Sequence, residues 1–175
     1  TMRAGLTTSY PGYADIPVNK DGDYQQLNDS ILQIENEFYG TIRPKRSAAS
    51  GERPLVALGQ RGVEYIEVRC VDLDPFAPIG IDQQHIRFLD TFLLVCLLTE
   101  SPTDSREETA RMVRNQTAVV ETGRQSGLKL ERDGESISLQ QWATELLVEC
   151  AKVATLIDQH SNSVLYSHAL NAQVD

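Results

Sequence analysis

Two acids two positions apart, Glu35 and Glu37 in the run Ile34-Glu35-Asn36-Glu37-Phe38-Tyr39, are the first groups in this chain that could do chemistry. If the segment is a strand, alternate residues share a face. Gln33, Glu35, Glu37 and Tyr39 then point one way, and Leu32, Ile34, Asn36 and Phe38 the other. Positions two apart are separated by about 6.7 Å. At that distance and an effective dielectric of about 20, two carboxylates repel by about 2.5 kcal/mol. A cation in a cleft removes the repulsion, and water on a solvated strand face also makes it tolerable, so the pattern alone fits both.

A second segment repeats the construction. In Gly62-Val63-Glu64-Tyr65-Ile66-Glu67-Val68-Arg69-Cys70-Val71, the apolar face is Ile66, Val68 and Cys70, and the other carries Tyr65, Glu67 and Arg69. An acid and a base two apart can pair with each other or jointly read a zwitterionic or phosphorylated ligand. Between the two segments lies the one basic cluster, Arg43, Lys45 and Arg46. It is too small for a duplex footprint and suits a small phosphorylated ligand.

Residues 1–30 read as loop, with a turn at Lys20-Asp21-Gly22-Asp23 able to join two short strands. Strands are expected at about 30–39 and 63–71. A flexible polar stretch, Ser47–Glu52, and a short helix from about Pro54 to Gln60 connect them. After Asp74-Pro75 the pattern becomes helical. Asp82 should N-cap a helix to about Leu98, with Ile86, Leu89, Phe92, Leu93 and Cys96 at helical spacing, and Ser101-Pro102 should end it. Asp104 with Glu107 reads as a capping box for a helix to about Gly123. Ser138 with Gln141 repeats that device before the stripe Trp142, Leu146, Cys150, Val153, Ala154 and Ile157. A last helix begins near Ser163. The expected fold class is α+β: a sheet portion over residues 1–80, then a helical packing region over 81–175. The opening loop and an uncapped end suggest a piece of something longer.

The bulk numbers fit one ordinary domain of 175 residues, with 41% hydrophobic and 23% charged residues. A net charge of −9 argues against nucleic acid as a partner. Cys70, Cys96 and Cys150 are widely spaced, odd in number and set in apolar runs, which favours reduced core residues and a cytoplasmic location. The longest apolar run, Phe92–Leu98, is too short to cross a bilayer, and no membrane partner is expected. Asn115-Gln116-Thr117 matches a glycosylation sequon by chance. The chain has no Walker loop, dinucleotide fingerprint, CxxC, HExxH or G-x-S-x-G elbow. His85, His160 and His168 lie in helical or inter-helical regions away from the acidic strands. What remains is oxygen chemistry: carboxylates suited to Mg²⁺ or Mn²⁺, and arginines suited to carboxylate or phosphate.

The runs Leu32–Tyr39, Ile42-Arg43-Pro44-Lys45-Arg46, Gly62–Arg69, Asp74-Pro75-Phe76 and Pro78-Ile79-Gly80-Ile81-Asp82 together resemble proteobacterial glutamate–cysteine ligase, in that family's order and spacing. The resemblance implies part of a glutamine-synthetase-like antiparallel sheet cleft, followed by a helical layer. It also implies a reaction in which ATP phosphorylates the γ-carboxylate of L-glutamate and the amine of L-cysteine displaces phosphate, the first step of glutathione synthesis. Mg²⁺ or Mn²⁺ assists. Carried onto this sequence, Glu35 and Glu37 are candidate metal ligands, with Glu37 favoured. Arg43 would clamp the transferring phosphoryl group. Glu67 and Arg69 would line the cleft, Arg69 meeting a substrate carboxylate or phosphate. Tyr13 would lie near the amino-acid pocket, and Asp72 behind the contacting residues. Lys45 and Arg46 are either cleft or surface charges. Family members are longer, and their N-terminal part supplies further metal ligands and much of the glutamate site, so that part is an expected partner and this chain alone is expected to be catalytically incomplete. Two other classes fit the residues: a non-catalytic metal- or nucleotide-binding module, and a helical interaction module.

Overall fold

A computed structural model describes residues 2–101 and 103–173. It is α+β, with six helices and three two-stranded antiparallel pairs among the described residues. The chain divides into two compact units, residues 1–72 and 73–175.

In the first unit, α1 (Met2–Thr7) packs beside Leu32, and the chain from Ser9 returns past Asp29–Leu32. The Asp21-Gly22 turn joins β1 (Asn19–Lys20) to β2 (Asp23–Tyr24), as the sequence suggested; both residues have positive φ, and the Asn19 side chain accepts from the Gly22 amide. The first residues correct the expectation of an unstructured opening, since Met2–Thr7 is a helical turn and a half.

The larger correction concerns residues 30–39. They form no strand; Glu35–Glu37 is a single 3₁₀ turn. The Glu37 carboxylate accepts from the Gln33 amide at 2.6 Å, and the Glu37 and Phe38 amides donate to the carbonyls of Ile34 and Glu35. Polar side chains that bond neighbouring backbone compete with a strand ladder, and here they win. Glu35 and Glu37 therefore do not share a strand face. The expected second strand does form, as β4 (Tyr65–Val68), and pairs antiparallel with β3 (Ile42–Lys45). Between them runs α2 (Pro54–Arg61), with Pro54 at its first position and Ala57 fully buried.

In the second unit, α3 (Gln83–Leu98), α5 (Leu139–Ser161) and α6 (Leu165–Asn171) surround a core of Val95, Cys150, Ala154 and Leu170, flanked by Phe88, Phe92, Leu147, Val153 and Tyr166. The local caps are as the spacing predicts: Asp82 accepts from the His85 amide and Ser138 from the Gln141 amide. For α4 (Arg106–Thr122) the cap is one residue later than expected. Ser105 accepts from the Glu108 amide, while Asp104 takes the Thr109 hydroxyl instead. For α6 the N-cap position holds Val164, which has no capping side chain. Asp158, from the last turns of α5, takes that role: its oxygens accept from the amides of Tyr166 (3.0 Å) and Ser167 (2.9 Å) and from the Ser163 hydroxyl.

The hairpin of β5 (Lys129–Arg132) and β6 (Glu135–Ser138) was not expected in the helical region. Leu130 and Ile137 pair across it and are both buried, and the Asn115 amide group bonds the Glu131 backbone through both its oxygen and its nitrogen. The turn residues Asp133 and Gly134 have φ of 52° and 83°, the pair of left-handed conformations a two-residue hairpin loop needs. Gly134→Val forces a β-branched residue into that conformation, at an expected cost of about 1–2 kcal/mol. Thermal melts of the two proteins check this; coincident curves would rule out the turn as a stability determinant.

Candidate functional site

The β3–β4 pair sets the site. Arg43 lies opposite Glu67 and Lys45 opposite Tyr65 in the antiparallel register, so these four side chains share one face. Arg69 extends that face just beyond β4, its amide donating to the Thr41 carbonyl at 2.7 Å. Three cations thus stand with one carboxylate, Glu67, on a local surface whose sign is opposite to the chain's net −9.

Glu67 is held between two of those cations. Arg69 meets it with Nε at 2.9 Å and a terminal nitrogen at 3.2 Å, and Lys45 Nζ lies 3.2 Å away. The Arg69 bonds, followed by that of Lys45, hold its carboxyl below the usual range. The Arg69 guanidinium also sits 5.6 Å from the centre of the Tyr39 ring. Arg46 is engaged as well, with Glu64 at 3.8 Å and the Arg61 carbonyl at 3.2 Å. Arg43 differs. Its Nε is buried and, among the described residues, has no hydrogen-bond acceptor; the nearby group is the Phe38 ring, 5.9 Å from the guanidinium carbon. A buried donor without a partner is costly, and an anionic oxygen would relieve it.

Arg43, Lys45 and Arg46 border a cleft of about 280 Å³, with Glu35, Pro54, Leu58 and Tyr65 on its other sides. The stretch Ser47–Glu52, expected to be flexible, is pinned at both ends, and its Ser47 and Ala48 line the cleft. Arg61 grips both Glu52 oxygens at 2.7 and 2.8 Å and donates to the Ser47 carbonyl, while the Ser47 amide donates to Glu64. The Arg61 fork, then the Ala49 amide, hold the Glu52 carboxyl down at about 2. Glu52, Arg53, Arg61 and Glu64 were missed as supporting residues. The partners that fix them in the site lie nine to eighteen positions away, and nothing in a linear pattern joins them.

Of the other residues singled out by sequence, Glu35 borders the cleft with both oxygens taken: Oε1 by Arg53 Nε at 2.8 Å and Oε2 by the Leu55 amide at 2.9 Å. Glu37 is exposed and has one oxygen bonded to Gln33. Tyr13 packs edge-on against Tyr10, its carbonyl accepting from the Gln26 amide group, and is not among the cleft's lining residues. Asp72 is exposed at the end of the first unit.

Phosphate oxygens fit the cation-bearing wall of this cleft. A divalent ion fits less well. Among the described residues, the one group of three donor atoms lying within 4.8 Å of one another is Asp74, Asp82 and His85 in the second unit, where Asp82 is also the α3 cap; neither Glu35 nor Glu37 belongs to such a group. The carboxylates of the first unit do not by themselves assemble a metal centre. Among the described residues, no helix is long and apolar enough to cross a membrane.

Residues 1–119 match the family model described as glutamate-cysteine ligase. A glutamate–cysteine ligase of Pseudomonas fluorescens is 47% identical over 174 residues, which is 99% of this chain and 33% of that protein. One from Azotobacter vinelandii is 49% identical over 173 residues, again 99% of this chain and 33% of that protein. A crystal structure of the glutamate–cysteine ligase from Francisella tularensis in complex with AMP superposes with a TM-score of 0.83 at 38% identity, covering 98% of this chain and 34% of that one. The chain spans about a third of the length of the curated relatives it matches.

Proposed function

Because the chain belongs to the glutamate–cysteine ligase family, we propose that it carries the phosphate-holding part of an ATP-dependent ligation of the glutamate γ-carboxylate to the cysteine amine, the first step of glutathione synthesis. A free carboxylate has no tolerable leaving group, whereas a γ-glutamyl phosphate does. Phosphoryl transfer depends on positioning and on neutralising charge over the phosphate oxygens. In this reading Arg43 receives a phosphate oxygen at its unpartnered Nε, and that single observation carries the proposal. Arg69, held in orientation by Glu67 on the same sheet face, lies like Glu67 outside the cleft's lining residues and in this reading presents its guanidinium to a second substrate oxygen. Tyr13 is kept as a contributor to the amino-acid side of the site. The proposed partner is the N-terminal portion of such a ligase, and the proposed location is the cytoplasm. The first unit supplies the cleft and the second a helical packing region. The AMP in the Francisella tularensis relative supports a nucleotide as the ligand.

When bound, Mg²⁺ or Mn²⁺ would supply positive charge that offsets the negative charge of the phosphate oxygens. Of the two acids offered for it, Glu37 is the better candidate, because one of its oxygens is not committed to the protein, whereas both oxygens of Glu35 are. Calorimetric titration of the chain with a nonhydrolysable ATP analogue, with and without Mn²⁺, tests the proposal. Glu37→Gln keeps an oxygen for the Gln33 amide but removes the charge, and is expected to raise the Mn²⁺ concentration needed for half-saturation several-fold. Absence of any analogue binding by the unmodified chain, at saturating Mn²⁺, would count against the phosphate reading. An unchanged Mn²⁺ requirement in the variant would remove Glu37 from the metal site.

A further inference from the structure

We infer that Glu35 is a positioning residue rather than a metal ligand: it is the N-terminal cap that α2 lacks, supplied from another segment, and it thereby holds two walls of the cleft at the spacing Arg43 requires. The inference rests on the phosphate reading of that cleft.

The start of α2 is unusual in its own residues. Its N-cap position is Arg53, which makes no capping bond from its side chain, and the first turn, Pro54-Leu55-Val56, contains no acid. A helix leaves its first amides without intrahelical acceptors, and Ser, Thr, Asp or Asn at the N-cap ordinarily supplies one. Here Glu35 supplies it from twenty residues upstream, its Oε2 accepting from the Leu55 amide at 2.9 Å. The second oxygen is spent on the same helix start, accepting from Arg53 Nε at 2.8 Å. Glu35 is 8% exposed and one of the few polar groups that the fold buries. A buried carboxylate with one oxygen on a guanidinium and the other on a backbone amide has found the partners burial demands. A cation at Glu35 would have to share oxygens that each already accept a hydrogen bond.

What this bridge joins gives it a role in the site. Glu35 and Asn36 form one side of the cleft, Pro54 and Leu58 of α2 another, and Arg43 to Lys45 of β3, with Arg46 just beyond it, a third. Glu35 therefore ties the 3₁₀ turn to α2. With Ala57 fully buried, a shift of α2 is transmitted into the packing of the first unit.

The test uses the intact chain in three forms: unmodified, Glu35→Gln, and Glu35→Gln with Arg53→Asp. The third gives α2 a local cap of the ordinary kind. Two readouts need no ligand: hydrogen exchange of the Leu55 amide, and exchange of the Arg43 Nε proton followed by NMR. Two others use Mn²⁺ alone and inorganic tripolyphosphate alone. Glu35→Gln is expected to speed exchange at both sites tenfold or more and to weaken tripolyphosphate binding several-fold, with Mn²⁺ affinity unchanged. Adding Arg53→Asp is expected to restore Leu55 protection alone: a cap within α2 does not reconnect the 3₁₀ turn, so Arg43 protection and tripolyphosphate affinity stay reduced. A tenfold loss of Mn²⁺ affinity with Leu55 exchange unaltered would overturn the inference in favour of a metal ligand. So would recovery of Arg43 protection and tripolyphosphate affinity together with that of Leu55, because capping of α2 alone, without the bridge, would then set the cleft. Failure of the unmodified chain to bind tripolyphosphate would count against the phosphate reading alone, since the exchange measurements decide the role of Glu35 without it.

Discussion

Arg43→Lys is expected to weaken binding of a nonhydrolysable ATP analogue roughly tenfold or more, leaving the melting temperature nearly unchanged. A hydrogen bond to a charged partner is worth about 1.5–3 kcal/mol, and each 1.4 kcal/mol is about a tenfold change in affinity. Lysine keeps the charge but loses both the Nε donor and the planar fork, and it is the Nε atom that lies buried without an acceptor. The other cations of the cluster set the contrast. Lys45 is held by Glu67 and Arg46 by Glu64, so Arg46→Lys is expected to change affinity far less. In an active ligase containing this sequence, kcat/KM should fall with Arg43→Lys by a similar factor. Equal affinities for the Arg43 and Arg46 variants would show that the cleft is not organised around Arg43.

The largest expected effect on stability belongs to Asp158→Ala. Burial pushes this carboxyl up, but the bonds from Ser167, Tyr166 and Ser163 outweigh it and hold the group down at about 2, against 3.8 for an ordinary aspartate. Its folded value is depressed, so its contribution to stability is fully present above pH 3.8 and is lost as the pH falls from there towards 2. Removing it leaves the first amides of α6 without an acceptor. Ala169 and Leu170 of that helix are buried, and Leu170 packs in the core with Val95, Cys150 and Ala154. At neutral pH the melting temperature is expected to drop by several degrees, with the Cys150 thiol, 1% exposed in the folded chain, becoming open to alkylation as α6 undocks. The difference between the two proteins should shrink as the pH is lowered through that interval. A gap independent of pH would mean that the carboxylate charge is not what holds α6.

The features that could be read in advance were those whose partners are close in sequence. Asp82 and Ser138 lie three residues from the amides they cap, and the β1–β2 turn is marked by adjacent Asp21 and Gly22. The faces of β4 were also legible, because Tyr65, Glu67 and Arg69 alternate with Ile66 and Val68. The acid-rich run at residues 34–39 misled because its alternation suggested a ladder, whereas Glu37 turns back on the Gln33 amide only four residues away. The β5–β6 hairpin was missed because each of its four-residue strands buries a single side chain, Leu130 or Ile137, too little pattern to stand out between two long helices. In the candidate site, Arg43 was legible as residue type and position. That Arg43 is the unsatisfied member of its cluster was not, because Glu64 and Glu67, which occupy its neighbours, reach them only once β3 and β4 pair.

Both helices with an unsuitable residue at the start, Arg53 before α2 and Val164 before α6, borrow their acid from another stretch of chain. Positions 53 and 164 are thereby released from the usual demand for a small hydroxyl or acid, and one of them can be a cation and the other a hydrocarbon. The constraint moves to positions 35 and 158. Exchanging one oxygen for nitrogen at either place would be felt in a helix whose own residues are unaltered.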